Sequence, residues 1–383
     1  NPRDQPEGHP FGELCTAGIV YCFWMEAIKA KGWDLDITDY LDVAALGTVA
    51  DMMPLSGQNR VLTMFGLKQL SSRNRDSLRI LLERVGFKNS QVTSRDIGFV
   101  IAPRLNAAGR LVHAKAGVEL LLAGTTEEMF RISGELDGLN QRRREMGQLI
   151  LAGAEAQIKA DPSVLDAHVV ALSGEDWHTG IIGITAAQLV RKHGRPAVMI
   201  TEESGICRGS ARSVPGVDIY QVLKACDGHF ETFGGHAGAA GFSMLPEKVP
   251  AFLLALREIS LTMISSGDLV PVLDIDIAVD PKDMTLDLVS DLAKMEPFGM
   301  GNPQPVFYTN QLRPEDFRTV GDGSHLKASF RSLDGKTVVD AIGFGMADKL
   351  PKLYEDQVEL AFHLETNEWG GVVVPQLRLV GVR

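Results

Sequence analysis

Five short segments of this chain set charged or polar side chains among small residues, a pattern suited to phosphate and metal chemistry. In Ala45-Leu46-Gly47-Thr48-Val49-Ala50-Asp51-Met52-Met53-Pro54-Leu55, one carboxylate sits in an otherwise apolar run. Burying Asp51 there is costly unless it is paired, hydrogen-bonded or bound to a metal. A helix cap is the plainer account, and a ligand to a hard divalent cation is the other. In Ala102-Pro103-Arg104-Leu105-Asn106-Ala107-Ala108-Gly109-Arg110, two arginines flank Asn106. Guanidinium forks match phosphate oxygens, and a solvated loop tied by surface ion pairs explains the same spacing equally well.

The third segment, Ser173-Gly174-Glu175-Asp176-Trp177-His178-Thr179-Gly180-Ile181-Ile182-Gly183-Ile184, reads as a polar turn from a strand into a helix. N–H groups at a helix start favour anions, and His178 can hydrogen-bond a phosphate. Ordinary strand–helix turn chemistry is the alternative. Arg208-Gly209-Ser210-Ala211-Arg212-Ser213 carries Ser210 and Arg212 on one candidate strand. Gly234-Gly235-His236-Ala237-Gly238-Ala239-Ala240-Gly241 reads as a loop of small residues around His236, which lets backbone approach a ligand closely.

Other chemistries are excluded by pattern. The chain has no GxxxxGK[ST] loop, no GxGxxG opening a helix after a strand, no GxSxG, no HExxH and no paired CxxC. His9, His113, His168, His193, His229, His325 and His363 read as surface or structural residues. Arg142-Arg143-Arg144 reads as a solvated helix face, with DNA contact the lesser reading.

The elements that must position these groups follow from periodicity. Asn1 to Gly12 reads as a loop, and Leu14–Lys31, Arg60–Leu70, Asp76–Val85 and Ala114–Leu122 as helices. Thr93-Ser94-Arg95-Asp96 reads as a helix start. Thr126–Lys159 is the longest helical candidate and connects two domains. After it come a strand over His168–Leu172, a helix over Gly180–Lys192, strands over Ala197–Ile200 and Gly205–Ser213, and a helix over Val249–Ile264. Strands over Val270–Val279, Val306–Tyr308, His325–Phe330, Thr337–Phe344, Gln357–Leu364 and Val372–Leu379 predict a small barrel of the OB kind.

The composition is that of a globular protein, with 45% hydrophobic and 23% charged residues. The net charge of −11 speaks against a coat of basic charge. Residues 267–383, with eleven basic and nineteen acidic side chains, hold −8 of it, so the rest is near neutral. Four cysteines (Cys15, Cys22, Cys207, Cys226) make no disulfide framework, which points to a reducing cytosol. No apolar run reaches the length of a membrane span, and no signal peptide is visible.

Taken in order, ALGTVADMMPL, APRLNAAGR, SGEDWHTGIIGI, GSARS and GGHAGAAG resemble the RecJ family, single-strand-specific DNA exonucleases of the DHH phosphoesterase superfamily. The resemblance runs over essentially the whole chain. It implies an α/β architecture: the C-terminal part of a DHH domain (1–125), a linking helix (126–162), a DHH-associated domain (163–266) and an OB-fold domain (267–383). It also implies 5′→3′ hydrolysis of single-stranded DNA in repair and recombination, with Mn²⁺ or Mg²⁺ at a two-ion site. By the same resemblance Asp51 binds metal, and Asn106 and Arg110 sit beside a phosphate, with Arg104 nearby. Ser210, Arg212, Gly234, Gly235 and His236 hold the nucleotide, with His178 on the same face.

The partners implied are single-stranded DNA, a single-stranded-DNA-binding protein and a helicase, for a bacterial cytoplasmic monomer. Lys327, Arg331, Lys336, Lys349 and Lys352 are candidates for a basic face on the OB fold. No Asp-His-His occurs in the sequence. The chain is therefore expected to be the C-terminal portion of a longer enzyme, inactive alone, since two-metal hydrolysis needs several carboxylates and a histidine. A phosphodiesterase of short oligonucleotides or cyclic dinucleotides, and a non-catalytic binder of single-stranded DNA or of a replication partner, are the alternatives.

Overall fold

The computed structural model describes residues 12–383. The expected opening loop, with Asn1-Pro2-Arg3-Asp4 and His9, lies outside the described residues but for Gly12. Helices α1 (Thr16–Lys31), α2 (Leu41–Ala50), α3 (Gly57–Ser72) and α4 (Asp76–Arg84) come first. The single turn α5 (Ser94–Asp96), a π-helical turn (Ile97–Ile101), α6 (Ala102–Leu111), α7 (Lys115–Leu122) and α8 (Thr126–Ala160) follow. Next are β1 (Val170–Ser173), α9 (Thr179–His193), β2 (Ala197–Glu203), β3 (Ile206–Arg212), α10 (Ile219–Lys224), β4 (Thr232–His236), β5 (Ala239–Met244) and α11 (Val249–Met263). The last third holds β6 (Ile277–Ala278), α12 (Leu286–Ala293), β7 (Phe307–Val320), β8 (His325–Ser332), β9 (Val338–Gly343), β10 (Val358–Trp369) and β11 (Val372–Val382).

These elements form two compact units. One comprises residues up to Asn74 with Asn89–Val100 and Leu273–Arg383, and the other Arg75–Lys88 with Ile101–Val272.

The second unit is built on α8, whose 35 residues span about 52 Å. Its buried side chains recur at helical spacing (Ile132, Leu136, Asn140, then Ile150, Ala154, Ile158), so one stripe serves two sets of neighbours. Helices α4, α6 and α7 pack on the first half and α9 on the second. The sheet runs β1-β2-β3-β5-β4, with β1 and β2 parallel and the others antiparallel. In β2, Ala197 and Met199 join the core under α8 and α9, while Val198 and Ile200 join the opposite core of α10 and α11. A strand buried on both faces reads as a continuous apolar run, which is why Ala197–Ile200 stands out in the sequence.

In the first unit, α2 and α3 cross at glycine. A Cβ built on Gly66 would lie 2.3 Å from the Leu41 carbonyl oxygen and 2.4 Å from the Ala45 Cβ. Thr93 opens α5 with a capping box: its hydroxyl accepts from the Asp96 N–H, and the Asp96 carboxylate accepts from the Thr93 N–H. The strands of this unit run β10-β11-β9-β8-β7-β6, and β10 also pairs with β7, which closes a barrel. Along β8, Leu326, Ala328, Phe330 and Ser332 point inward at period two. The segment Met295–Asn302, ahead of the barrel, is bound back to the helical part. Leu55 N–H donates to the Met300 carbonyl (2.6 Å), Arg60 Nη2 to those of Met295 and Glu296 (2.7 and 2.8 Å), and the Ser94 hydroxyl to that of Phe298.

Three sequence expectations are corrected. Gly234–Gly241 is a β-hairpin rather than a loop, since β4 and β5 pair across a turn at Ala237-Gly238. Ala102–Arg110 is helical, with Pro103 tolerated in the first turn. The strand over Val270–Val279 shrinks to Ile277–Ala278. Among the described residues no helix is long and apolar enough to cross a membrane.

Candidate nucleic-acid interface

Strand β3 sorts its side chains by period two. Cys207 and Ala211 join the core of α10 and α11. Ser210 and Arg212 therefore point the other way, toward α9. A Cβ on Gly183 of α9 would lie 2.8 Å from both the Ser210 hydroxyl and Arg212 Nη2. Glycine at 183 is what lets these two groups lie against the helix. Arg212 is further held by bonds from its Nη1 to the Ser210 hydroxyl (3.1 Å) and to the Ala211 carbonyl (2.7 Å).

One turn earlier on the same helix face, Gly180 meets α6. A Cβ there would come within 2.2 Å of the Arg110 carbonyl oxygen, and Arg110 Nη1 reaches the Gly180 carbonyl at 3.4 Å. Gly180 and Gly183 thus gather Arg110, Ser210 and Arg212 at the start of α9. Burial, and then the charge of Arg110, hold the Arg212 guanidinium below its ordinary pKa. Arginine stays charged regardless, so the direction reports first the burial of a cation and second the like charge of Arg110. Among the described residues no carboxylate pairs with Arg110 or Arg212.

The start of α9 is itself prepared. His178 is the N-cap, its Nδ1 accepting from the Gly180 N–H (3.0 Å). Trp177 folds over Gly174, where a Cβ would lie 2.4 Å from the indole ring, and its carbonyl accepts from the Thr201 hydroxyl. His178 is thus an ordinary turn residue by geometry, placed at an N-terminus that favours anions.

Register extends the site across the sheet. Ser210 pairs with Gly241, which pairs with Gly234; Arg212 pairs with Ala239, which pairs with His236. These rows share one face, with strands about 4.8 Å apart, so small residues line the sheet beside Ser210 and Arg212. His236 is exposed, and its Nδ1 accepts from the Gly238 N–H at 3.3 Å. Gly235 has φ of 152°, and a Cβ there would come within 2.4 Å of the Ala239 carbonyl.

On α6, Asn106 and Arg110 stand one turn apart and both are exposed. Arg104 is spent elsewhere, its Nε 2.8 Å from Asp137 of α8. The three arginines of α8 do not form one solvated face. Arg142 and Arg144 are exposed, while Arg143 is half-buried, and the sequence carried no signal to separate them.

Asp51, in the other unit, is not the buried group that its neighbours imply. It is exposed at the C-terminal end of α2, where a carboxylate meets carbonyls rather than free N–H groups. Asp51 is thus the C-cap residue of α2, in keeping with the helix-cap account, and the negative end of the helix makes the position unfavourable for an anion unless a cation joins it. Asp42, unremarked in the sequence, is the buried carboxylate of α2, with Oδ1 2.7 Å from the Val43 N–H. Among the described residues no group of three His, Cys, Asp or Glu side chains could hold a metal. Asp51 fits one ligand position of a divalent ion and no more, so these residues alone do not make up a two-ion site.

The expected basic face of the barrel also changes. Arg331 stands beside Glu315, Lys336 beside Asp334 (3.9 Å), Lys349 beside Asp348 (2.9 Å) and Lys352 beside Glu355 (4.0 Å). Lys327 alone of the five has no such pair among the described residues.

Comparison with known proteins agrees with this layout. The DHHA1 domain family matches residues 166–260 and the RecJ OB domain family residues 275–381. The chain is 33% identical to the single-stranded-DNA-specific exonuclease RecJ of Haemophilus influenzae, over 97% of this chain and 68% of that protein. It is 31% identical to that of Bacillus subtilis, over 99% of this chain and 48% of that protein. The crystal structure of RecJ from Thermus thermophilus in complex with Mg²⁺ superimposes with a TM-score of 0.84 at 30% identity, over 99% of this chain and 57% of that one. The chain thus spans about half to two thirds of the length of these relatives.

Proposed function

This chain belongs to the RecJ family, and on that premise we propose that its second unit holds the end of a single DNA strand for metal-dependent 5′→3′ exonucleolytic cleavage. The observation that carries the reading is the convergence of Arg110, Ser210 and Arg212 on Gly180 and Gly183, with no neutralising carboxylate among the described residues.

In this reading the guanidinium of Arg212 and the hydroxyl of Ser210 donate to non-bridging phosphate oxygens, and Arg110 neutralises charge on a neighbouring phosphoryl group. Asn106 donates from its side-chain amide beside Arg110. His178 fixes the N–H groups at the head of α9. His236 supplies a donor at the hairpin edge, and Gly234 and Gly235 let the strand approach the backbone. Asp51 would supply one ligand to a divalent ion, Mn²⁺ or Mg²⁺, and such an ion would supply the activation of water. The OB fold offers a further surface for stacked bases, with Phe344 and Trp369 exposed.

Binding is tested by titrating a fluorescent oligothymidylate at several salt concentrations. Arg212→Ala weakens binding about tenfold or more and flattens the log–log salt dependence by about 0.7 for each phosphate no longer neutralised. An unchanged slope overturns the phosphate assignment. A homogeneous polypeptide of these 383 residues is expected to show no metal-dependent hydrolysis, since one carboxylate does not organise two ions. Activity in that preparation, abolished by Asp51→Ala, refutes this part of the reading.

A further inference from the structure

Three consecutive arginines on a helix point about 100° apart, so they cannot share an environment. Arg142 and Arg144 of α8 reach solvent, whereas Arg143 is turned inward. Its Nη2 donates to the Asn140 side-chain oxygen (3.0 Å), a neutral acceptor on a residue only 4% exposed. Its Nε is shut off from solvent with no hydrogen-bond partner. The surroundings are cationic. Burial, followed by the charges of Arg110, Arg144 and Arg104, holds the Arg143 guanidinium below its ordinary pKa.

Arg104 has Asp137 beside it. Among the described residues Arg143 has no acid in ion-pair reach. A half-buried cation with an idle donor, ringed by like charges, is an unfavourable arrangement that an anion relieves. One amide oxygen does not offset it. Helix α6, which carries Arg110, packs on α8, which carries Arg143, and the charge of Arg110 bears on Arg143 as it does on Arg212. Arg110 and Arg212 both meet α9, at Gly180 and Gly183, and α8 packs on both α6 and α9.

We propose that Arg143 is a further phosphate-binding residue, taking a phosphate of the single strand next to the one held by Arg110 and Arg212, so that α8 is part of the binding surface and not only a connector. The proposal rests on the reading of the Arg110–Arg212 site given above.

The experiment uses the 383-residue chain, the oligothymidylate probe, and the variants Arg143→Gln, Arg142→Gln and Arg212→Ala. Arg143→Gln is expected to weaken binding about tenfold and to flatten the salt slope by about 0.7. Arg142→Gln should stay within twofold of the parent. Melting temperature separates binding from folding. Loss of a cation ringed by cations leaves the Arg143→Gln melting temperature at or above that of the parent. Added inorganic phosphate, at constant ionic strength, raises the melting temperature of the parent more than that of the variant.

Unchanged affinity and slope in Arg143→Gln, with Arg212→Ala weakened, overturns the role of Arg143 and leaves the site reading intact. Unchanged binding in both variants overturns both. A lower melting temperature in Arg143→Gln with no difference in the phosphate effect makes the side chain structural and also overturns the proposal.

Discussion

Gly183 is the residue on which the proposed interface turns, because a single missing methyl sets how closely Ser210 and Arg212 approach α9. Gly183→Ala is expected to displace the Arg212 guanidinium and weaken oligonucleotide binding about tenfold. Its cost in stability should be small, since the groups displaced are the ends of side chains. Parallel binding and melting measurements check this, and a large loss of stability with intact binding would reverse the argument. A second residue reports on the core behind the site. Burial pushes the Cys226 thiol up to about 11, above its value in an unfolded chain. The native state thus keeps its proton longer, and this contribution to stability, complete below the unfolded value, is lost as pH rises through about 11. Denaturant midpoints measured above pH 8 should fall less steeply in Cys226→Ala.

At the scale of elements, the hairpin of β4 and β5 is the feature least visible in the sequence. Gly and Ala have low strand propensity, so Gly234–Gly241 carries the signature of a loop. It is a strand pair because β3 offers an edge and because Phe242 lies over Gly209, where a Cβ would come within 2.0 Å of the ring. Gly209→Ala should cost about 1–3 kcal/mol through that overlap, read as a lower melting temperature with strand content retained at low temperature. By contrast, α5 follows directly from its capping box. Thr93→Ala should cost about 1 kcal/mol, measured by urea denaturation. Helix α8 was legible through its apolar stripe. That Arg143 alone of its three arginines turns inward was not, because the choice depends on α6 lying alongside.

For the whole molecule, two units with separate cores should unfold in two transitions rather than one. The segment Met295–Asn302 belongs to the first. Arg60→Ala removes the bonds to the Met295 and Glu296 carbonyls and should lower that transition by about 1–2 kcal/mol, leaving the transition that Gly209→Ala lowers unmoved. Calorimetry of both variants checks the assignment; if either substitution shifts both transitions equally, the units are not independent.

The sequence by itself determined what periodicity and local chemistry control: the long α8, the β1-α9-β2 order, the alternating strands of the barrel and the ordered motifs of the RecJ family. Those features depend on residues near one another along the chain, where apolar spacing and capping act directly. Tertiary structure alone decided that Asp51 is exposed at a helix end, that Arg104 is paired with Asp137, and that Arg110 and Arg212 meet α9 at Gly180 and Gly183 without an acid partner among the described residues. Each depends on groups far apart in sequence brought within a few ångströms, where burial and charge act through space and leave no local pattern to read.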